Sequence, residues 1–179
     1  MRALLLLLGF WISLAANAQG VSEHDMKAAY LYNFAHLFEW PESRRANFHI
    51  CILGDEEVGA AMQGYDEKRV NGQRMVIARL STTTPIRLCD ILYVGAAAVG
   101  NLPKIRSILG GQATLTVADK APLQSVAVAL ALENQHLMFD VNLEHCERAN
   151  LKPKLIVLGL ARLVRKATEG ELKGSSVPR

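Results

Sequence analysis

Cys89-Asp90-Ile91-Leu92-Tyr93-Val94-Gly95 is the stretch on which the fold turns. Its apolar core is continuous, too short for a helix, and closed by a glycine, so it reads as a strand buried on both faces. Leu102 to Leu109 follows with helical character and stops at Gly110-Gly111, where glycine suits a helix C-terminus. Ala113 to Val117 is then a second strand, ending at Ala118-Asp119. Strand, helix and strand in that order make a parallel crossover. The same order stands upstream: Phe48 to Leu53 reads as a buried strand ending at Gly54-Asp55, and Glu56 to Gln63 as a short helix. Arg69 to Leu80 contains the turn signal Asn71-Gly72 followed by a partly alternating run.

Beyond Pro122 the pattern changes. Val126 to Leu132 and His136 to Val141 are strand-like runs separated only by Glu133-Asn134-Gln135, which predicts a hairpin. Glu144 to Asn150 and Pro153 to Lys166 read as helices, the second with proline at its start and basic residues in its last turns. The expected fold is a single-domain α/β structure: a mostly parallel sheet, helices on both faces, and an antiparallel C-terminal hairpin.

The first 18 residues are a different object. Arg2, an apolar run from Ala3 to Leu14, and Ala16-Asn17-Ala18 make a three-part secretory signal, with cleavage expected after Ala18. The run is too short for a membrane span, which needs about 20 apolar residues. The domain is expected over residues 19–168, followed by a flexible polar tail over residues 169–179. Apolar residues are 50% and charged residues 21% of the 179, which are globular values. A net charge of +3 from 20 basic and 17 acidic residues gives no reason to expect a nucleic-acid partner.

Ser22 or Glu23 to Trp40 reads as a helix stopped by Pro41. Met26, Ala29, Tyr30, Asn33, Leu37 and Trp40 share one face at helical spacing. Leu31, Tyr32 and Phe38 fall outside it, so the helix is either sandwiched between layers or offers a second face to a partner. In the last helix Ile156, Leu160, Leu163 and Val164 form a face for docking on the sheet, while Leu155 and Leu158 point elsewhere. Leu31, Tyr32, Leu155 and Leu158 are thus the expected partner surface.

If the strands are parallel, Asp55, Gly95 and Asp119 meet at one sheet edge, where open α/β sheets hold ligands. The loop from Gly54 carries too many acids to cradle phosphate; the loop from Gly95, with Lys104 and Arg106 beyond, suits an anion better. The glycines serve equally well as ordinary strand-to-helix turns. His24, His36, His49, His136 and His145 show no ligand spacing, so no metal and no cofactor are expected. Cys51 and Cys89 lie in apolar runs where thiols are inert, and no nucleophile elbow is present. No catalytic residues are expected. In an oxidising compartment two of the three cysteines should pair and leave one over.

The run from Met26 to Pro41, MKAAYLYNFAHLFEWP, resembles the opening helix of the YfiR-like family of periplasmic regulators. The likeness continues through Phe48 to Asp55, Val70-Asn71-Gly72-Gln73, Cys89 to Gly95, Leu115 to Asp119, Phe139-Asp140-Val141-Asn142 and Leu155 to Val164. The resemblance implies a periplasmic repressor and not an enzyme. Its target would be the periplasmic sensor region of an inner-membrane diguanylate cyclase, so that it lowers cyclic-di-GMP signalling and with it biofilm formation. An outer-membrane peptidoglycan-binding lipoprotein would relieve the repression, and the protein would form a homodimer. The alternative is a small-ligand-binding sensor subunit acting on another membrane sensor, such as a histidine kinase. The family's first disulfide falls on Cys51 and Cys89. Cys146 stands without the nearby partner of the family's second pair and, in a polar helix, is expected to be partly exposed.

Overall fold

Eight strands form one sheet in a computed structural model that describes residues 21–41 and 45–166. The expected signal segment, its cleavage site, the domain limits at 19 and 168 and the tail lie outside the described residues. Among the described residues no helix is long and apolar enough to cross a membrane.

The chain runs α1 (Glu23–Leu37), β1 (Phe38–Glu39), β2 (Asn47–Leu53), α2 (Glu56–Met62), β3 (Arg69–Val70), β4 (Gln73–Leu80), β5 (Ile91–Val94), α3 (Leu102–Leu109) and β6 (Leu115–Asp119). It continues through β7 (Val128–Glu133), β8 (His136–Asn142), α4 (Leu143–Arg148), β9 (Lys152–Pro153), α5 (Leu155–Leu160) and β10 (Leu163–Arg165). The main sheet has the order β10-β8-β7-β6-β5-β2-β4-β3. The pairs from β4 to β7 are parallel, and β7–β8 is the antiparallel hairpin. The α/β class, the parallel centre and the hairpin are as the sequence predicts.

Alternate strand residues divide the core, because successive side chains point to opposite faces. Ile50, Ile52, Ile91, Tyr93, Val117 and Val128 face α1 and α2. Cys51, Leu53, Leu92, Val94 and Ala118 face α3. The Cys51–Cys89 disulfide lies in this second layer, with Cα atoms 5.7 Å apart. Cys89 itself precedes β5 and does not belong to a strand.

Four expectations need correction. The first helix ends at Leu37, earlier than Trp40, because Phe38–Glu39 pairs antiparallel with Lys152–Pro153. Its buried face is also rotated: Lys27, Ala28, Leu31, Phe34 and Ala35 point inward, while Met26, Tyr30 and Leu37 flank them. The last helix is one turn and a half, Leu155–Leu160, and not a rod reaching Lys166. Arg162 explains the break. Its Nε donates to Asp140 Oδ1 at 2.9 Å and its Nη2 to Asp140 Oδ2 at 2.5 Å, and its backbone N–H donates to Phe139 O. This fork pulls the following residues into register beside β8 as β10, so tertiary pairing overrides helix propensity. Finally, Cys146 is buried, not exposed, and burial together with Glu147 pushes its thiol up to about 12.

Candidate functional site

The C-terminal ends of β2, β5 and β6 meet the first turn of α1 in a polar crevice. Gly54 and Gly95 make that meeting possible. A Cβ on Gly95 would lie 2.4 Å from Gly54 O, and one on Gly54 would lie 2.5 Å from Ala98 Cβ. Gly54 also has φ +76°, a backbone conformation that L side chains rarely adopt. Asp55 follows and caps α2, accepting from Val58 N–H at 3.0 Å. Its second oxygen accepts from the buried Tyr93 hydroxyl at 3.0 Å. Burial, then the nearby Asp55 and Asp119 carboxylates, drive the Tyr93 phenol pKa upward, so it acts as a fixed donor.

Asp119, at the end of β6, is 4% exposed and accepts from Lys27 Nζ at 2.8 Å. Lys27 is 2% exposed, and Glu23, one turn before it, adds a contact at 2.6 Å. Burial opposes the ammonium charge, but the hydrogen bonds to Asp119 and Glu23 outweigh it and raise the Lys27 pKa. The Lys27 contact holds the Glu23 carboxyl below its usual range. A buried lysine is therefore paired on both sides, which is the condition for keeping its charge.

Asp55 and Asp119 thus line one crevice, whereas Gly95 packs against Gly54 beside it and does not line it. Sequence reading missed Lys27, Glu23 and Tyr93. The signal for Lys27 was a lone cation on the apolar stripe Ala28–Leu31–Phe34–Ala35. Five carboxylates (Glu23, Asp55, Glu56, Glu57 and Asp119) surround Lys27, Lys120 and His24, so the crevice repels anions. Ligand atoms of His24, Asp55 and Glu57 lie within 4.8 Å of one another and could hold a divalent cation. Ligand spacing within one segment could not reveal them, since α1 supplies one and the α2 start supplies two.

The expected partner surface divides sharply. Leu31 is fully buried against the sheet and cannot contact a partner. Tyr32 is half-buried and stacks on Tyr65 at 4.7 Å, with Lys68 over both rings. Leu158 is half-buried and packs on the core. Leu155 alone of the four stands open, 86% exposed. Ile156 and Leu160, assigned by periodicity to the sheet-facing side, are exposed as well, because α5 buries only Val157, and Leu163, assigned with them, stands exposed on β10.

Residues 24–162 match the model of a family described as YfiR/HmsC-like. No curated protein matches.

Proposed function

The chain belongs to the YfiR/HmsC-like family of periplasmic regulators, which is regulatory rather than catalytic, and from that premise we propose that it is a protein-binding repressor. Its target is the periplasmic sensor region of an inner-membrane diguanylate cyclase, and its effect is to lower cyclic-di-GMP signalling and biofilm formation. An outer-membrane peptidoglycan-binding lipoprotein sequesters it and lifts the repression. Two copies associate as a homodimer.

One observation supports the reading above others. Leu155, Ile156, Leu160 and Leu163 are 86, 56, 62 and 54% exposed within nine residues of chain. Exposed Lys152 and Lys154 precede them in the chain, and exposed Arg165 and Lys166 follow. An apolar centre with a charged rim is the anatomy of a protein interface. β10 adds an open sheet edge beside it. The alternative, a ligand sensor working through the crevice, has less behind it, since Asp55 and Asp119 already serve donors of their own chain.

The test is the cellular cyclic-di-GMP level with this chain deleted and then restored. Deletion should raise it and restoration lower it, and both responses should vanish in a strain lacking the cyclase. Unchanged levels on deletion would count against the proposal.

A further inference from the structure

Between α3 and α4, beside the start of β6, lies a second cavity of about 220 Å³. We propose that it binds a small organic monocarboxylate with an apolar body. This inference stands apart from the repressor reading and from the crevice.

The floor is apolar. Leu102, Ile105 and Leu109 of α3, which pack into the core, also line the cavity, and Ala149 closes its far side. A bare inorganic anion would leave this surface wet, whereas an apolar group would cover it. The volume is below the roughly 300–1,000 Å³ of sites for drug-sized ligands, which limits the occupant to a small molecule.

The rim is cationic. Arg106 lines the cavity and, among the described residues, makes no ion pair or side-chain hydrogen bond. Arg148 touches Glu144 through Nη1 at 3.4 Å, and its other guanidinium nitrogens make no hydrogen bond or ion pair among the described residues. His145 lines the same cavity. Its Nε2 is 2.9 Å from Gln124 O, so that nitrogen carries the proton. Its pKa is lowered first by burial and then by Arg148 and Arg106, against the opposing pull of Gln124 and Glu144. Both guanidinium fields therefore reach the cavity.

Two hydroxyls complete the polar side. Thr116 Oγ1 accepts from Ala127 N–H at 3.1 Å, which leaves its proton free to donate. Ser125 makes no side-chain hydrogen bond among the described residues. A planar carboxylate meets the guanidinium groups and these hydroxyls while its body rests on α3. Guanidinium forks favour this geometry.

Calorimetric titration of the purified protein with phenylacetate tests the proposal, with neutral phenylacetamide and inorganic phosphate as controls. Phenylacetate should bind saturably and raise the His145 pKa seen by NMR, because a bound anion favours the imidazolium. Phenylacetamide and phosphate should each bind at least about tenfold more weakly. Arg106→Gln should weaken phenylacetate by about tenfold without changing the melting temperature of the free protein. Arg148→Gln is read instead if the first variant fails to fold. No phenylacetate binding, equal binding of the amide or of phosphate, or unaltered affinity in the folded variant would each overturn the proposal.

Discussion

Lys27 Nζ lies 2.8 Å from Asp119 Oδ2, tying the first helix to the end of β6 across 92 residues of sequence. Both side chains are almost wholly buried. Lys27→Met leaves the Asp119 carboxylate desolvated without its cation, and should cost roughly 3–5 kcal/mol in urea unfolding. Lys27→Met with Asp119→Leu should recover much of that loss, since no buried charge remains without a partner. A single variant as stable as wild type would show that the pair is not desolvated in solution.

Acid sensitivity should localise to His145. Its folded-state pKa lies below the ordinary 6.5, so the folded protein binds fewer protons there than the unfolded chain. The stability contribution is full above that ordinary value and falls as pH drops from it towards the folded-state value. His145→Gln removes this slope. Wild type minus variant stability should therefore be larger at about pH 7.5 than at about pH 5.5. An equal or opposite difference contradicts the assignment.

The Cys51–Cys89 bridge spans a sequence separation of 38, for which chain entropy gives about 4 kcal/mol of stabilisation. Reductant should lower the urea midpoint accordingly. Cys146 is buried with its thiol pushed up to about 12, so iodoacetamide should leave the native protein unmodified. Without reductant, denaturation should expose one alkylation site by mass spectrometry. Two further sites would mean that the bridge is absent.

Arg162 fastens β10 to β8 through its fork on Asp140. Arg162→Met should release residues 163–165 and leave the central strands intact. Hydrogen exchange reads this directly: protection should fall in β10 and persist in β5 and β6. Uniform loss of protection would mean that Arg162 supports the whole domain.

The parallel centre of the sheet was legible because β2, β5 and β6 are short, predominantly apolar runs, each closed by glycine or aspartate. Buried strands write themselves that way whatever surrounds them. The edge crevice was legible for the same reason, since parallel strands bring their ends together. The rotation of α1 was not. Its buried stripe contains a lysine, and that placement depends on Asp119, far along the chain, together with Glu23 one turn earlier. The C-terminus was misread for a related reason: residues 153–166 carry helical periodicity, but Arg162 finds a carboxylate on β8. Long-range ion pairs leave no local periodic signal. Their consequence here was large, because Ile156, Leu160 and Leu163, assigned to the sheet-facing side, joined Leu155 in the exposed patch.

That patch carries the central claim. Leu155→Asp with Leu160→Asp places charges on two exposed side chains, where substitution should leave the fold and melting temperature nearly unchanged. The decisive measurement is the binding of wild type and this double variant to the isolated periplasmic sensor region of the diguanylate cyclase. We expect wild type to bind and the double variant to lose at least about tenfold in affinity, since a charge desolvated at an interface is costly. Failure of wild type to bind, or equal binding by a folded double variant, would contradict the account.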